Sequence, residues 1–227
     1  MGKGLFITAT GTDVGKTFVT ALIVKTLKAA GLSAAYYKAA LSGAERQNGE
    51  LVPGDAAYVK SIAGLDQSFG EMVSFVYETA VSPHLAAKIE GNPVELPKVK
   101  RDYEAVKARY DFVTVEGSGG IICPIRWDET QKILLEDIVK TLGLPLLVVA
   151  SAELGTINST VLTVKYARSK GIKVAGIVLN KFRANEAMDE DNAKMIEELS
   201  GAKVLAKLGK DATSLAVSAQ TLADLYE

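Results

Sequence analysis

The chain has 227 residues but only one cysteine and one histidine. A lone cysteine, Cys123, excludes an intramolecular disulfide and fits a reducing compartment. A lone histidine, His84, cannot build a His-rich metal site, and no Ser/His/Asp constellation surrounds it. Charge excess is missing too. Lysine plus arginine total 26 against 27 acidic residues, a net charge of −1. That balance gives no global basic field for nucleic acid or an anionic membrane. No apolar run reaches the roughly 18 residues of a membrane span. The N-terminal Met-Gly-Lys-Gly leads into a strand-length run and lacks the apolar core of a signal peptide. Repeats, low-complexity segments and linkers are also lacking. The expectation is one cytoplasmic domain, 1–227, with no nucleic-acid or membrane partner.

Apolar residues make up 48% of the chain, which suits a parallel sheet covered on both faces. Strand-like runs alternate with helical patterns. The runs are Leu5–Thr8, Ala34–Lys38, Met72–Tyr77, Phe112–Glu116, Leu146–Ala150, Val174–Leu179 and Lys203–Ala206. Helices are expected over Lys16–Ala30, Asp55–Ala63, Pro83–Glu90, Leu96–Arg109, Leu134–Thr141, Ile157–Lys170, Ala187–Leu199 and Thr213–Leu225. Gly31, Gly91, Gly143, Gly171 and Gly201 each follow a helical pattern and read as stops. Such alternation predicts an α/β fold with a mostly parallel sheet and helices on both faces, and the segment Gly15-Lys16-Thr17 after the first strand makes the expected fold P-loop NTPase-like. Leu41–Gly54 is turn-rich and is expected to be a loop at a carboxyl strand end, bordering the ligand site.

Directly after Leu5-Phe6-Ile7 the chain reads Gly11-Thr12-Asp13-Val14-Gly15-Lys16-Thr17. A strand that enters a Gly-rich turn and then a helix points backbone N–H groups into one concavity. Lys16 adds an ammonium, and the Thr17 hydroxyl suits Mg²⁺. The loop is a variant, because Thr10 stands where the common pattern has its first glycine. Glu116 closes an apolar strand before Gly117-Ser118-Gly119-Gly120, a place where Mg²⁺ held by phosphates finds a protein oxygen. Asp55 reads either as a helix cap or as a second carboxylate for that ion. Lys38, after Tyr36-Tyr37, reads either as a solvated strand-end lysine or as a cation facing the phosphates, whose loss leaves folding intact. Ser42 lies four residues on, within reach of a polar substrate. Ser82-Pro83 reads as a helix start, and Cys123 as a core thiol or a site neighbour, the core being preferred because no activating motif accompanies it.

In this order the pieces resemble the dethiobiotin synthetase family over almost the whole chain. The likeness adds Tyr37-Lys38 with Ser42-Gly43, Asp55-Ala56, Ser82-Pro83-His84, Leu154-Gly155-Thr156-Ile157-Asn158 and Ala175–Asn180 to the two Gly-rich segments. It implies ATP- and Mg²⁺-dependent conversion of 7,8-diaminononanoate and CO₂ to dethiobiotin, through a carbamate and its phosphoric anhydride. By this resemblance Lys38 and Lys16 are catalytic, and Thr17, Asp55 and Glu116 serve Mg²⁺. Nucleotide contacts come from Thr12, Asp13, Val14, Gly15, Lys16, Thr17 and Phe18, from Asp55, and from Glu116, Gly117, Ser118 and Gly119. Asn180, with Lys181 beside it, reads the adenine edge. Ser42 holds substrate, and Gly155, Thr156, Ile157 and Asn158 hold its distant carboxylate, across a homodimer interface. Departures from the family pattern are Ala9, Ala39, Lys181 and Ala206–Gly209. A partition-type P-loop ATPase acting as a nucleotide-driven dimer switch is the alternative. It would favour a second lysine in the loop and a basic amphipathic tail, and neither is present. An amidotransferase-type ligase would need a glutaminase domain that 227 residues cannot hold.

Overall fold

The computed structural model describes residues 2–227, so Met1 of the expected 1–227 domain lies outside the described residues. The strands are β1 (Lys3–Ala9), β2 (Ala34–Leu41), β3 (Glu45–Gln47), β4 (Glu50–Val52), β5 (Val73–Val76), β6 (Phe112–Gly120), β7 (Pro124–Trp127), β8 (Lys132–Leu134), β9 (Leu146–Ser151), β10 (Val174–Asn180) and β11 (Val204–Lys207). The helices are α1 (Lys16–Ala29), α2 (Gly54–Ala63), α3 (Phe69–Met72), α4 (Pro83–Ile89), α5 (Leu96–Lys107), α6 (Leu135–Leu142), α7 (Thr156–Ser169), α8 (Ala187–Ser200) and α9 (Ala219–Ala223).

Among the described residues the main sheet has seven strands, ordered β11-β10-β9-β1-β6-β2-β5. Every neighbouring pair in it is parallel. Successive strand side chains alternate between faces. Leu5, Ile7 and Tyr36 therefore join one core with α1 and α2, while Phe6, Tyr37 and Val115 join the other with α5 and α6. After β1 the chain adds strands to one side and, from β9, to the other. Such a reversal opens a crevice at the carboxyl ends of the strands.

The five stop glycines all take positive φ, as their helix-ending role requires. Other expectations need correction. Leu41–Gly54 is not a plain loop, because β3 and β4 form an antiparallel hairpin within it. Its turn, Asn48-Gly49, has positive φ at both residues, the backbone that closes tight hairpins. The helix expected over Thr213–Leu225 shrinks to α9. Ser218 caps it by accepting from the Thr221 N–H, and the Ser- and Thr-rich stretch before it favours local turns over helix. Strand β6 runs on through Gly117–Gly120, and β2 continues past Lys38, so neither Glu116 nor Lys38 ends its strand. A second hairpin, β7–β8, and the short α3 carried no pattern recognised in the sequence.

Candidate active site

Residues 10–15 connect β1 to α1. Asp13 and Gly15 both adopt positive φ, 58° and 94°, which turns the chain sharply into the helix. A methyl group on Gly15 would lie 2.1 Å from the Asn180 amide nitrogen. That nitrogen donates to the Val14 carbonyl at 2.9 Å, so the end of β10 braces the loop. The first N–H groups of α1 have no partner within the helix and face anionic ligands well. Lys16 is buried and reaches the Gly11 carbonyl at 3.4 Å. Burial first, and the positive charge of Lys38 second, lower its pKa.

The parallel register of β2 and β6 puts Lys38 opposite Glu116. The Lys38 ammonium lies 2.6 Å from Asp55 Oδ2 and 3.0 Å from Glu116 Oε1. Thr17 donates to the same Glu116 oxygen at 2.8 Å, and the Tyr36 hydroxyl donates to the other, Oε2, at 3.1 Å. Burial alone would strip charge from Lys38, but Glu116 and Asp55 outweigh it and its pKa rises. Burial pushes Asp55 the other way, yet Lys38 wins and holds its carboxyl below the usual range. Burial and the Glu116 charge push the Tyr36 phenol well up, so it stays a donor. Asp55 sits inside the first turn of α2, after Pro53 at the cap position, so it is not the cap.

Among the described residues no three His, Cys, Asp or Glu side chains gather as a metal cage. The donor set nevertheless fits Mg²⁺. Two carboxylates and a hydroxyl are hard oxygen ligands, already spaced around a cationic group, and Mg²⁺ keeps waters or phosphate oxygens for the rest of its octahedron.

A cavity of about 720 Å³ opens above this cluster. Thr12, Asp13, Gly15, Lys16 and Thr17 form one wall, and Lys38, Asp55 and Glu116 line its depth. Leu41, Ser42, Val81–Pro83, Ser118, Gly119 and Cys123 complete it. The Ser42 hydroxyl donates to the Val81 carbonyl at 2.5 Å. Gly117 lies just beneath, where a methyl group would meet Leu135 and Phe6 at 2.8 and 2.9 Å. Phe18, in the first turn of α1, packs half-buried on the core.

Several expected residues lie elsewhere. Val14 turns its carbonyl to Asn180, whose own Oδ1 is buried without a hydrogen-bond partner among the described residues. Lys181 reaches towards Glu153, at 3.5 Å. Gly155–Asn158 stand at the start of α7, outside the cavity. Thr156 is buried with its hydroxyl 3.2 Å from that of Thr160, Ile157 packs on the core, and Asn158 is exposed. Asn158 is the third residue of α7. Sequence reasoning placed the segment from Leu41 at the site but missed the cavity roles of Val81, Ser82 and Pro83, and it preferred the core over the site for Cys123. Cys123 packs on the core and also faces the cavity, where burial pushes its thiol up. It missed Tyr36 as well, although its place two residues before Lys38 on a strand puts both on one face.

A parallel sheet, a Gly-Lys-Thr loop at the end of a central strand and a second buried lysine beside it define a P-loop nucleotide-binding protein of the α/β class. The family model described as "AAA domain" matches residues 3–216. The fold is shared with the MinC:MinD cell division complex of Aquifex aeolicus, at TM-score 0.58 and 15% identity, covering 99% of this chain and 94% of that one. It is also shared with a ParA family ATPase from Chlorobium tepidum, at TM-score 0.54 and 14% identity, covering 92% and 84%. Sequence relatives are far nearer. The ATP-dependent dethiobiotin synthetase BioD of Brachyspira hyodysenteriae is 55% identical over 90% of this chain and 91% of its own. The Clostridium botulinum protein of that name is 47% identical over 100% and 99%. The chain belongs to the ATP-dependent dethiobiotin synthetase family.

Proposed function

We propose that the chain, acting as a single domain over 1–227, is a cytoplasmic ATP-dependent ligase that converts 7,8-diaminononanoate and CO₂ to dethiobiotin. The observation that carries this reading is the convergence of Lys16, Lys38, Asp55 and Glu116 on one cavity. In the reaction one amine takes up CO₂ and loses a proton, giving a carbamate. A carbamate oxygen takes the γ-phosphoryl group from ATP. The second amine then attacks the carbonyl carbon, phosphate leaves, and the cyclic urea closes.

Each step places demands on the residues. A carbamate and its anhydride decompose in water, so a recessed cavity with apolar walls at Leu41, Val81 and Pro83 protects them. Negative charge builds on oxygens as the phosphoryl group transfers. Lys16 at the loop and Lys38 at the depth offer fixed cations to it. Mg²⁺, when bound, shields phosphate charge, and Thr17, Asp55 and Glu116 would hold it. The loop residues Thr12–Thr17 and Phe18, with Gly117–Gly119, would embrace the phosphates. The unpartnered Asn180 Oδ1 is an acceptor suited to an exocyclic amine of adenine, with Lys181 at the rim. Ser42 would release Val81 and bind the diamine. Gly155–Asn158 stand outside the cavity, which supports a homodimer in which a second copy offers this helix start to the substrate carboxylate.

The test is direct. Purified protein given the diamine, bicarbonate and Mg-ATP should form dethiobiotin and phosphate in equal amounts, and omitting either the diamine or bicarbonate should abolish both. Phosphate release that ignores the diamine would refute the reading. The likeness to MinD and ParA proteins shows the fold alone and lends no weight to a partition ATPase.

A further inference from the structure

We propose that Tyr36 is a positioning residue, whose hydroxyl fixes one oxygen of Glu116 so that the other is presented to Thr17 and Lys38. The inference rests on the ligase reading for what Glu116 binds, and on the geometry for the rest.

Tyr36 is fully buried in the core between the sheet and helices α1 and α2. A phenylalanine would fill nearly the same apolar volume. Only the hydroxyl reaches the carboxylate, at 3.1 Å from Oε2. The two Glu116 oxygens are thereby distinguished. Oε2 has its donor on the core side, and Oε1 takes Thr17 and Lys38 at the cavity. Without the Tyr36 donor, the carboxylate plane is free to swing about its last side-chain bond, and the cation-facing oxygen loses its fixed place.

The backbone of Tyr36 is held as firmly as its hydroxyl. Strand β5 pairs with β2 only from Lys38 onward, so the edge at Tyr36 has no strand beside it. The Gln67 side chain stands in for that strand. Its Oε1 accepts from the Tyr36 N–H at 2.8 Å and its amide donates to the Tyr36 carbonyl at 3.1 Å. Gln67 is itself buried. A chain of fixed contacts thus runs from Gln67 through Tyr36 to Glu116. Groups that hold a ligating carboxylate in this way commonly govern metal affinity as strongly as they govern rate.

The experiment measures Mn²⁺ binding in the presence of ADP by electron paramagnetic resonance, which needs no turnover. Tyr36→Phe should keep its circular dichroism spectrum and raise the Mn²⁺ dissociation constant about tenfold. ADP affinity without metal and the KM for the diamine should stay as in the parent. In a Glu116→Gln background the same substitution should change Mn²⁺ affinity by less than about twofold, because the group it acts through is gone. Gln67→Ala, which keeps the hydroxyl and loosens the backbone, should give a smaller rise of about threefold and is read in its own right. A folded Tyr36→Phe protein with unchanged Mn²⁺ affinity overturns the inference, as does a full effect that persists with Glu116→Gln. Failure of the parent protein to bind Mn²⁺ with ADP would sink the ligase reading as well. An effect missing only at Tyr36 sinks this inference alone.

Discussion

At Lys38 burial and charge oppose each other, and the two carboxylates win. Its raised pKa contributes stability that is fully present below the ordinary lysine value and is lost as pH rises through the folded one. The depressed pKa of Asp55 contributes stability that is present above the ordinary carboxylate value and is lost as pH falls through the folded one. The cluster therefore stabilises the fold between about pH 4 and pH 10. Lys38→Met leaves Glu116 buried without its cation. Breaking a buried pair in this way costs about 3–5 kcal/mol, and the part-exposed Asp55 argues for the lower end. In a chain of this size the melting temperature should drop by roughly 10 °C at pH 8. The deficit should narrow as pH falls below the ordinary carboxylate range and Asp55 protonates in the parent protein, and thermal melts at pH 8 and at acid pH would measure it. The sequence alone suggested that replacing Lys38 leaves folding intact. The double ion pair argues instead for a folded but less stable protein. On the proposed role of Lys38 as a fixed cation facing the transferring group, turnover of the same variant, read as phosphate release, should fall at least about a hundredfold.

The loop before α1 is built by two elements that are far apart in sequence. Gly15 has positive φ, and the Asn180 amide occupies the space a side chain would need. Gly15→Ala meets both obstacles. The left-handed backbone alone costs about 1–2 kcal/mol, and the displaced Asn180 would release Val14. Asn180→Ala removes the brace but also clears the space. The two substitutions should therefore be non-additive. The double variant should lose less nucleotide affinity than the sum of the singles, by a coupling of about 1 kcal/mol or more. Fluorescent-nucleotide titrations of the four proteins would measure it, and simple additivity would mean that the contact carries nothing. The same junction explains what was legible in the sequence. Gly15-Lys16-Thr17 was legible because local geometry sets its chemistry. The alternation of strands and helices was legible because covered parallel strands read as apolar runs. The bracing by Asn180, the Tyr36–Glu116 contact and the Cys123 wall depend on strand order, which a linear pattern does not encode. The Asn48-Gly49 hairpin was a missed local signal, overshadowed by the turn-rich composition around it.

At the scale of the whole molecule, one cavity holds the groups proposed for chemistry, and one proposed substrate contact lies outside it. Gly155, with φ of 91°, opens α7 beside the exposed Leu154 and Asn158, and none of them lines the cavity with Lys38. If a chain had to complete its own site, the segment 155–158 would have to cross the rim of the sheet. Its anchors argue against that. Ala152 N–H donates to the Asn180 carbonyl at 2.8 Å, and the Asn192 amide donates to the Ala152 carbonyl at 3.1 Å. A symmetric dimer needs no such movement, because each copy can offer its α7 start to the other's cavity. The consequence is complementation. On the roles proposed above, Lys38→Met should disable the cavity of its own chain, and Asn158→Ala should weaken the contact proposed to be given to the neighbour. Each variant alone should show little activity at limiting diamine. Mixed in equal amounts and allowed to exchange, half of the dimers would be mixed, and each would carry one intact site. Activity should return to about a quarter of the parent level, with the parent KM for the diamine. A mixture no more active than the sum of its parts, with exchange verified by tagged chains, would place segment 155–158 outside the reaction or confine it to its own chain.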